Sequence, residues 1–165
     1  MKSLNDYINV YKKQVEKGDI IKAYQGLMWY MRNLRSYFQN KYPDYFVSGN
    51  IYQGYMDMTY FSFTPQPLKK IELKIALVLM HDTVRFEVWL AGNTRKIRDE
   101  YRNLIKTKQW TKYPIPTSEE NPDAIIVKIL EKTPNFDEIN SLTKKIEKNT
   151  NKFIEEVLEF IGGEK

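Results

Sequence analysis

The segment 93–102 carries the residue types best suited to chemistry in this sequence. It begins with a short polar turn and continues as a basic stretch with arginines at helical spacing. Backbone N–H groups at a helix start, combined with guanidinium groups, suit the binding of a phosphate or another anion. The residues predicted to bind an anion are Asn93, Thr94, Arg95, Lys96, Arg98 and Arg102. A solvated basic helix face is the alternative interpretation.

The charge at the start of this predicted helix runs against the usual preference. Helix starts favour acidic side chains because the macrodipole leaves a partial positive charge there, whereas Arg95 and Lys96 open this helix. Residues 95–112 contain seven basic and two acidic residues, which accounts for the whole net charge of +5. We therefore expect any attraction for anions to be local. The predicted outward stripe consists of Arg95, Arg98, Arg102 and Lys106.

A second set of candidates lies on the predicted strands. Asp57 and Glu87 are carboxylates that could share a divalent metal ion, and Lys74 could help to activate a water molecule. They would lie on the sheet face opposite the core, together with Arg85 and Trp89. Charged residues that alternate along a strand usually face water, so a solvated face is the alternative here as well.

The spacing of apolar residues predicts the elements that must position these candidates. Two helices come first, over residues 4–16 and 20–41, and the short break at Gly18-Asp19 predicts a helical hairpin. Three strands, a helix, a fourth strand and a long C-terminal helix follow. The predicted strands span residues 51–64, 71–80, 84–90 and 123–130. This order favours an α+β fold with a mainly antiparallel sheet of about four strands.

Several local features are predicted in more detail. Ser3 is expected to cap the first helix with Asp6 as its acidic partner. A two-residue turn at Asp82-Thr83 would place Leu79 opposite Phe86 and Leu77 opposite Val88, which aligns both apolar sets. The last helix is expected to be capped through Asn135 and Glu138 and to end at Gly162-Gly163.

Composition excludes several classes of site. The chain has no Cys, which excludes disulfides and thiolate metal sites, and its single His81 is expected to be an ordinary turn histidine. It contains no GxGxxG, P-loop or GxSxG motif, and no cofactor is predicted. The longest strongly apolar run, 75–80, is far too short to span a membrane. With no apolar stretch near the N-terminus, we expect a cytoplasmic protein with no membrane partner.

The aromatic residues are numerous, with 12 Tyr, 8 Phe and 3 Trp. The stretches 42–46 and 52–55 could form an aromatic cleft for a base or a small planar ligand. Packing of the first strand onto the helical hairpin explains the same residues. No repeat or linker divides the chain, so a single domain over residues 1–165 is expected.

Two resemblances extend these predictions. The order helix, three strands, helix, strand resembles the core topology of the PD-(D/E)xK nucleases, but Glu87-Val88-Trp89 lacks the expected lysine and Glu72-Leu73-Lys74 lies on the preceding strand. A second resemblance is carried by Leu4-Asn5-Asp6-Tyr7, Tyr42-Pro43-Asp44-Tyr45-Phe46, 54–61 and 85–92. In these stretches the chain resembles an uncharacterised family of small prokaryotic proteins known only as a domain of unknown function. That resemblance implies no activity, ligand or site.

Three functions remain open from the sequence. The favoured one is a non-enzymatic binding module for an anionic ligand, such as a phosphate-containing molecule, a nucleic acid or an acidic partner. The second is a homodimeric interaction protein, because Ile139, Ile146, Phe153 and Phe160 exceed what a small sheet needs. The third is a metal nuclease, either active or degenerate, with Asp57 and Glu87 as ligands.

Overall fold

Two capped helices form the N-terminal part of the computed structural model, which describes residues 1–163. Helix α1 spans Leu4–Lys17, and Ser3 and Asp6 form a reciprocal capping box at its start, as predicted. Gly18 ends α1 in the left-handed conformation, with φ of 82°, which glycine adopts without a steric penalty. Helix α2 then begins at once and spans Asp19–Lys41. The N-terminal helix pair of the sequence prediction is thus confirmed.

The two helices differ sharply in burial. Helix α1 contains no buried residue, although its apolar side chains have the spacing of a packed helix. In α2, by contrast, the second half enters the core. The buried residues of α2 are Met28, Tyr30, Met31, Leu34 and Phe38.

The middle of the chain folds into an antiparallel sheet. Its strands follow one another in chain order, so each strand pairs with its neighbours in sequence. The strands are β1 Phe46–Val47, β2 Met58–Thr64, β3 Leu73–Met80, β4 Arg85–Gly92 and β5 Ala124–Glu131. The remaining helices are α3 Gln66–Lys69, α4 Arg95–Thr107 and α5 Ile139–Gly162. The α+β prediction is confirmed, and the fifth strand is the two-residue β1.

The hairpin of β3 and β4 has the predicted register. Leu79 pairs with Phe86 and Leu77 pairs with Val88. The ladder stops at the pair Met80–Arg85, so four residues form the turn rather than two. The register is nevertheless the predicted one, because a slip of one residue would turn both apolar sets away from the core.

The two faces of the sheet are covered differently. One face packs against α2 and α5 in the main core, which includes Phe61, Leu77 and Phe86. The other face carries a smaller cluster of strand residues around Val78 and Trp89. Because the helical layer covers the first face, the second is where an open groove can form.

The apolar stripe of α5 is used inside the chain. Ile146, Phe153 and Val157 have no accessible surface. Phe160 stacks on Trp110, with ring centroids 4.5 Å apart. The stripe of α5 thus completes the core of one chain and leaves no apolar excess for a homodimer through this helix. The start of α5 also differs from the prediction: Glu138 makes no side-chain cap, and Asn135 accepts a hydrogen bond from the backbone of Asp137 instead.

A buried carboxylate joins α5 to the end of α2. Glu147 is 7% exposed and accepts hydrogen bonds from the hydroxyls of Tyr37 and Tyr42 and from the ammonium of Lys41. Asn151 adds a bond to the Tyr42 hydroxyl at 2.8 Å. Burial opposes ionisation of Glu147, but these donors outweigh it and leave its pKa below the ordinary value. The network thus connects the end of α2 to the middle of α5.

Among the described residues 1–163, no helix combines the length and apolarity needed to cross a membrane.

Replacing Glu147 by Gln should destabilise the protein by about 1.5–3 kcal/mol, the range for hydrogen bonds to charged groups. Because the folded-state pKa lies below the unfolded one, the stabilisation is present above about pH 4.5 and is lost as the pH falls through the folded value. Denaturant unfolding between pH 3 and pH 7 should therefore show a shallower acid loss of stability in Glu147→Gln. The control is Glu16→Gln, which removes an exposed ion pair with Lys12 and should lower the free energy of unfolding by less than about 1 kcal/mol. Equal acid slopes in wild type and Glu147→Gln would contradict this role.

Candidate functional site

A groove runs across the sheet face that the helices leave open. It has two parts that share Trp89 and Asp123 in their linings. The first, here called the basic pocket, has a volume of about 290 Å³ and lies where β4 passes into α4. The second, here called the sheet cleft, has a volume of about 790 Å³ and lies between the strands and the loop 113–123.

The start of α4 forms one wall of the basic pocket. Thr94 is the N-cap, and its hydroxyl accepts the Ile97 N–H at 3.2 Å. The N–H groups of Arg95 and Lys96 lie in the same first turn, where a helix has no acceptors of its own to offer. The sequence predicted a turn and a helix start here, and the structure shows that Thr94 is the cap.

Gly92 sets the distance between β4 and this helix start. A Cβ atom at position 92 would lie 2.7 Å from the Arg98 backbone nitrogen and 3.1 Å from a methyl carbon of Ile97. The first distance, to a backbone atom, is too short for a Cβ atom and the second is tight, so glycine at position 92 lets α4 begin this close to the strand. The close approach brings the arginines of the first turn over the open sheet face.

Cationic side chains reach the basic pocket from two elements. Arg95 and Arg98 come from α4, and Lys74 comes from β3, where its partner across the ladder is Ala91. The contribution of Lys74 was not part of the predicted anion site. The signal was available in the predicted register, which places Lys74 beside the end of β4.

Lys96 does not line the basic pocket. Its side chain is 83% exposed and lies 3.9 Å from Glu100 in an i, i+4 pair. Asn93 and Thr94 do line the pocket. The structure thus brings together four of the six predicted residues, namely Asn93, Thr94, Arg95 and Arg98, and separates two.

Arg102 is the second residue outside the pocket, and its predicted outward position is wrong. It is 7% exposed, and its guanidinium donates to the carbonyls of Ala124 and Asn121 and to the hydroxyl of Ser118. Burial lowers its pKa, but arginine keeps its charge in proteins. The guanidinium acts as a clamp that holds the loop 117–124 against α4.

Arg98 has a mixed role. It donates to the carbonyl of Pro122 and forms an ion pair with Asp99 at 2.8 Å, while its side chain is 15% exposed and lines the basic pocket. In the helical projection Arg98 and Arg102 lie next to Ile105, at the border of the apolar face. That position was the available signal that they would be partly covered.

The predicted nuclease residues lie in one cleft but are engaged by other groups. Asp57 and Glu87 both line the sheet cleft, whereas Lys74 lies in the basic pocket. One carboxylate oxygen of Glu87 accepts from Arg85 and the other from the Trp89 indole, each at 2.7 Å. Within residues 1–163, no group of three or more His, Cys, Asp or Glu side chains is placed to hold a metal ion.

Asp57 has a local structural role. It accepts the backbone N–H of Tyr55 at 2.8 Å, and this hydrogen bond is the main reason why its pKa lies below the usual range. The carboxylate therefore stabilises the turn that leads into β2.

The aromatic residues divide between packing and the groove. Tyr42, Tyr45 and Phe63 stack in sequence at 4.8 and 5.3 Å and belong to the core layer. Tyr60 pairs with Tyr52 at 4.9 Å and lines the basic pocket, where burial and the nearby Asp123 raise the pKa of its hydroxyl. Packing thus explains Tyr42 and Tyr45, whereas Phe46 is exposed and Tyr60 faces the groove.

His81 lies at the turn, as predicted, and is held in place. Its Nε2 lies 2.8 Å from the Thr59 hydroxyl, which also donates to the Gln53 carbonyl. Burial lowers the pKa of His81 in spite of the nearby Asp57. The ring stabilises the strand ends rather than facing the groove.

Replacing Arg102 by Met should release the loop 117–124 while α4 stays helical. Hydrogen–deuterium exchange should accelerate in this loop by at least tenfold, because three donor groups to its backbone and to Ser118 are lost. Lys106→Met, on the exposed side of the same helix, is the control and should leave exchange unchanged. Unaltered protection of residues 117–124 in Arg102→Met would show that the clamp is dispensable.

Comparisons with known proteins identify the family without supplying a function. No curated protein matches the chain significantly. The same holds for solved structures. A family described as "Domain of unknown function (DUF7000)" matches residues 4–161, which is nearly the whole chain. The protein therefore belongs to the DUF7000 family.

Proposed function

We propose that this protein is a non-enzymatic binding module whose ligand is an anion, held in the basic pocket. The observation that carries the proposal is the convergence of Lys74, Arg95 and Arg98 around one concavity at the start of α4. Two of these residues come from a helix and one from a strand. The fold therefore creates this cluster of charge, which a solvated basic face of α4 alone would not provide.

The positive charge in the basic pocket is only partly neutralised. Arg98 pairs with Asp99, and Asp123 is the acidic residue in the lining. Neither Lys74 nor Arg95 has an ion-pair partner within residues 1–163. The lining thus has three cations and one carboxylate, and a concave site with an excess of one sign of charge concentrates the field that attracts a counter-ion. A phosphate or sulfate group would fit this field and could accept from the first turn of α4 as well.

The neighbouring aromatic residues favour a ligand with a planar part. Tyr60 and Trp89 line the basic pocket beside its cations, and Trp89 continues into the sheet cleft. The volume of 290 Å³ is close to the lower limit of about 300 Å³ for small-molecule pockets. A nucleotide would place its phosphate near Arg95 and its base along the floor toward the cleft. Aromatic stacking of this kind contributes about 1–3 kcal/mol per base in single-strand binding proteins.

The decisive variants are Lys74→Glu and Arg95→Glu, because both residues line the pocket without holding the loop in place. Wild type should be stabilised by phosphate, by nucleoside monophosphates or by short oligonucleotides, and a ligand at 100 times its Kd raises the free energy of unfolding by about 2.7 kcal/mol. The double variant should lose this stabilisation in thermal-shift and calorimetric titrations. Its own melting temperature should stay close to that of wild type.

Lys96→Glu is the matched control, since it makes the same charge reversal in the same helical turn outside the pocket. It should retain at least half of the affinity. Loss of binding to the same extent in Lys96→Glu and Arg95→Glu would show a diffuse charge effect and contradict a defined site. For oligonucleotides, the affinity should fall with salt, with a slope that reflects the number of phosphates contacted.

A further inference from the structure

The apolar side of α1 is exposed in the single chain. Its side chains occupy positions i, i+3, i+4, i+7 and i+11, the pattern of a helix that packs against others. Yet Leu4 is 74% exposed, Tyr7 58% and Tyr11 65%. The sequence of α1 therefore predicts burial that the chain by itself does not provide.

Tyr7, Val10, Tyr11 and Val15 form one wall of an apolar groove, here called the α1–α2 groove. Its other walls are the start of α2 and the loop that contains Tyr55, and its volume is about 770 Å³. Tyr55 is 90% exposed, although aromatic side chains gain most from burial. The groove includes Tyr7, Val10, Tyr11, Ile20, Tyr24 and Tyr55.

The exposed area is large enough for a stable interface. The exposed fractions of the large apolar residues in α1, in the start of α2 and at positions 55 and 56, applied to full side-chain areas of roughly 150–250 Å², amount to on the order of 1,000 Å². A standard interface buries about 800 Å² on each partner. Exposed apolar patches of monomers are typically about 300–600 Å². An isolated helix of 14 residues is also only marginally stable in water, so α1 gains from a cover.

We propose that a second copy of this chain covers the groove, with the two α1 helices packed antiparallel about a twofold axis. Each α1 would then lie in the groove of the other copy and complete its apolar lining. Such an interface is self-complementary, because the same residues serve as occupant and as wall.

The charges of α1 determine the direction of pairing. The acidic Asp6 lies in its first half, whereas Lys12, Lys13 and Lys17 lie in its second half, with Glu16 already paired to Lys12. Parallel pairing would bring the three lysines of one helix beside those of the other. Antiparallel pairing separates the lysine-rich halves of the two helices along the axis. It also places Leu4 opposite Val15 and Ile8 opposite Tyr11 of the second copy.

The concave shape favours a helix over a lipid surface as the occupant. A helix that lies in a membrane presents a convex apolar face, whereas here Ile20, Tyr24 and Tyr55 rise beside α1 and make a trough. A rod of helical diameter fills a trough, but a flat bilayer does not.

The first experiment measures mass in solution. Sedimentation and light scattering at 10–100 µM should give twice 19.7 kDa for wild type. They should give 19.7 kDa for Tyr7→Glu with Tyr11→Glu, which keeps the circular dichroism of the fold because neither residue is buried in the monomer. Phe46→Glu is the control, an equally drastic change at a side chain that is 70% exposed and lies outside the groove. A monomeric wild type would overturn the proposal, as would a dimer that persists in the double variant.

The second experiment tests the direction of pairing. Because the chain has no native cysteine, a cross-linker reacts only at the cysteines introduced. A short bismaleimide should cross-link a mixture of Leu4→Cys and Val15→Cys chains as a heterodimer. It should leave Leu4→Cys alone largely monomeric. Efficient cross-linking of Leu4→Cys to itself would contradict antiparallel packing. Binding of a monomeric wild type to anionic vesicles, lost in the tyrosine double variant, would assign the groove to a membrane and overturn the proposal.

Discussion

The buried guanidinium of Arg102 is the interaction on which the open face of the sheet depends. A charge at 7% exposure is tolerable only when its donors are satisfied, and here carbonyls of the loop 117–124 satisfy them. The loop has few apolar side chains with which to hold itself in place. By fixing its backbone, Arg102 also places Pro122 and Asp123, which line the groove. The common wall of the basic pocket and the sheet cleft is therefore held by α4, through the buried Arg102 and through the bond of Arg98 to the Pro122 carbonyl.

The uneven cover of the sheet explains why the groove lies where it does. The helices pack on one face and bury the aliphatic and aromatic core there. On the other face Trp89 lies across the ladder from Ala76, so a small residue makes room for a large ring. Glu87 accepts one hydrogen bond from the indole N–H of Trp89 and another from the guanidinium of Arg85. These bonds hold the Trp89 ring in place as the floor of the groove. The open face is thus rigid and partly apolar, as a binding surface needs to be.

The sequence predicted what depends on local periodicity. The register of β3 and β4 was predictable because two apolar faces and a short turn leave one alignment. The cap of α1 and the end of α5 were predictable because their capping residues are adjacent in the chain. The position of Arg102 was not, since its carbonyl partners come from a loop whose path the periodicity does not determine. The same holds for Glu147, whose tyrosine donors lie more than 100 residues away.

The candidate site was predicted in part for the same reason. The arginines of the first turn of α4 and the turn before them were predictable from the sequence, because they are adjacent in the chain. Lys74 joins them only through the pairing of β3 with β4, and Asp123 only through the loop that Arg102 holds. The nuclease interpretation depended on topology and on two carboxylates. The structure gives those carboxylates other partners within the sheet and its adjoining turn.

Among residues 1–163, most of the basic side chains discussed above have partners within the protein, whereas two in the basic pocket do not and are therefore suited to bind a ligand. Lys41, Arg85, Lys112 and Lys145 each pair with a carboxylate, and Arg102 is saturated by carbonyls. Lys74 and Arg95, in contrast, meet at a helix start that already repels positive charge, at a cost of about 0.3–1 kcal/mol per charge. An anion bound between them would remove that repulsion and satisfy the first-turn N–H groups together. None of these residues lines the α1–α2 groove, so self-association through that groove leaves the basic pocket chemically unchanged.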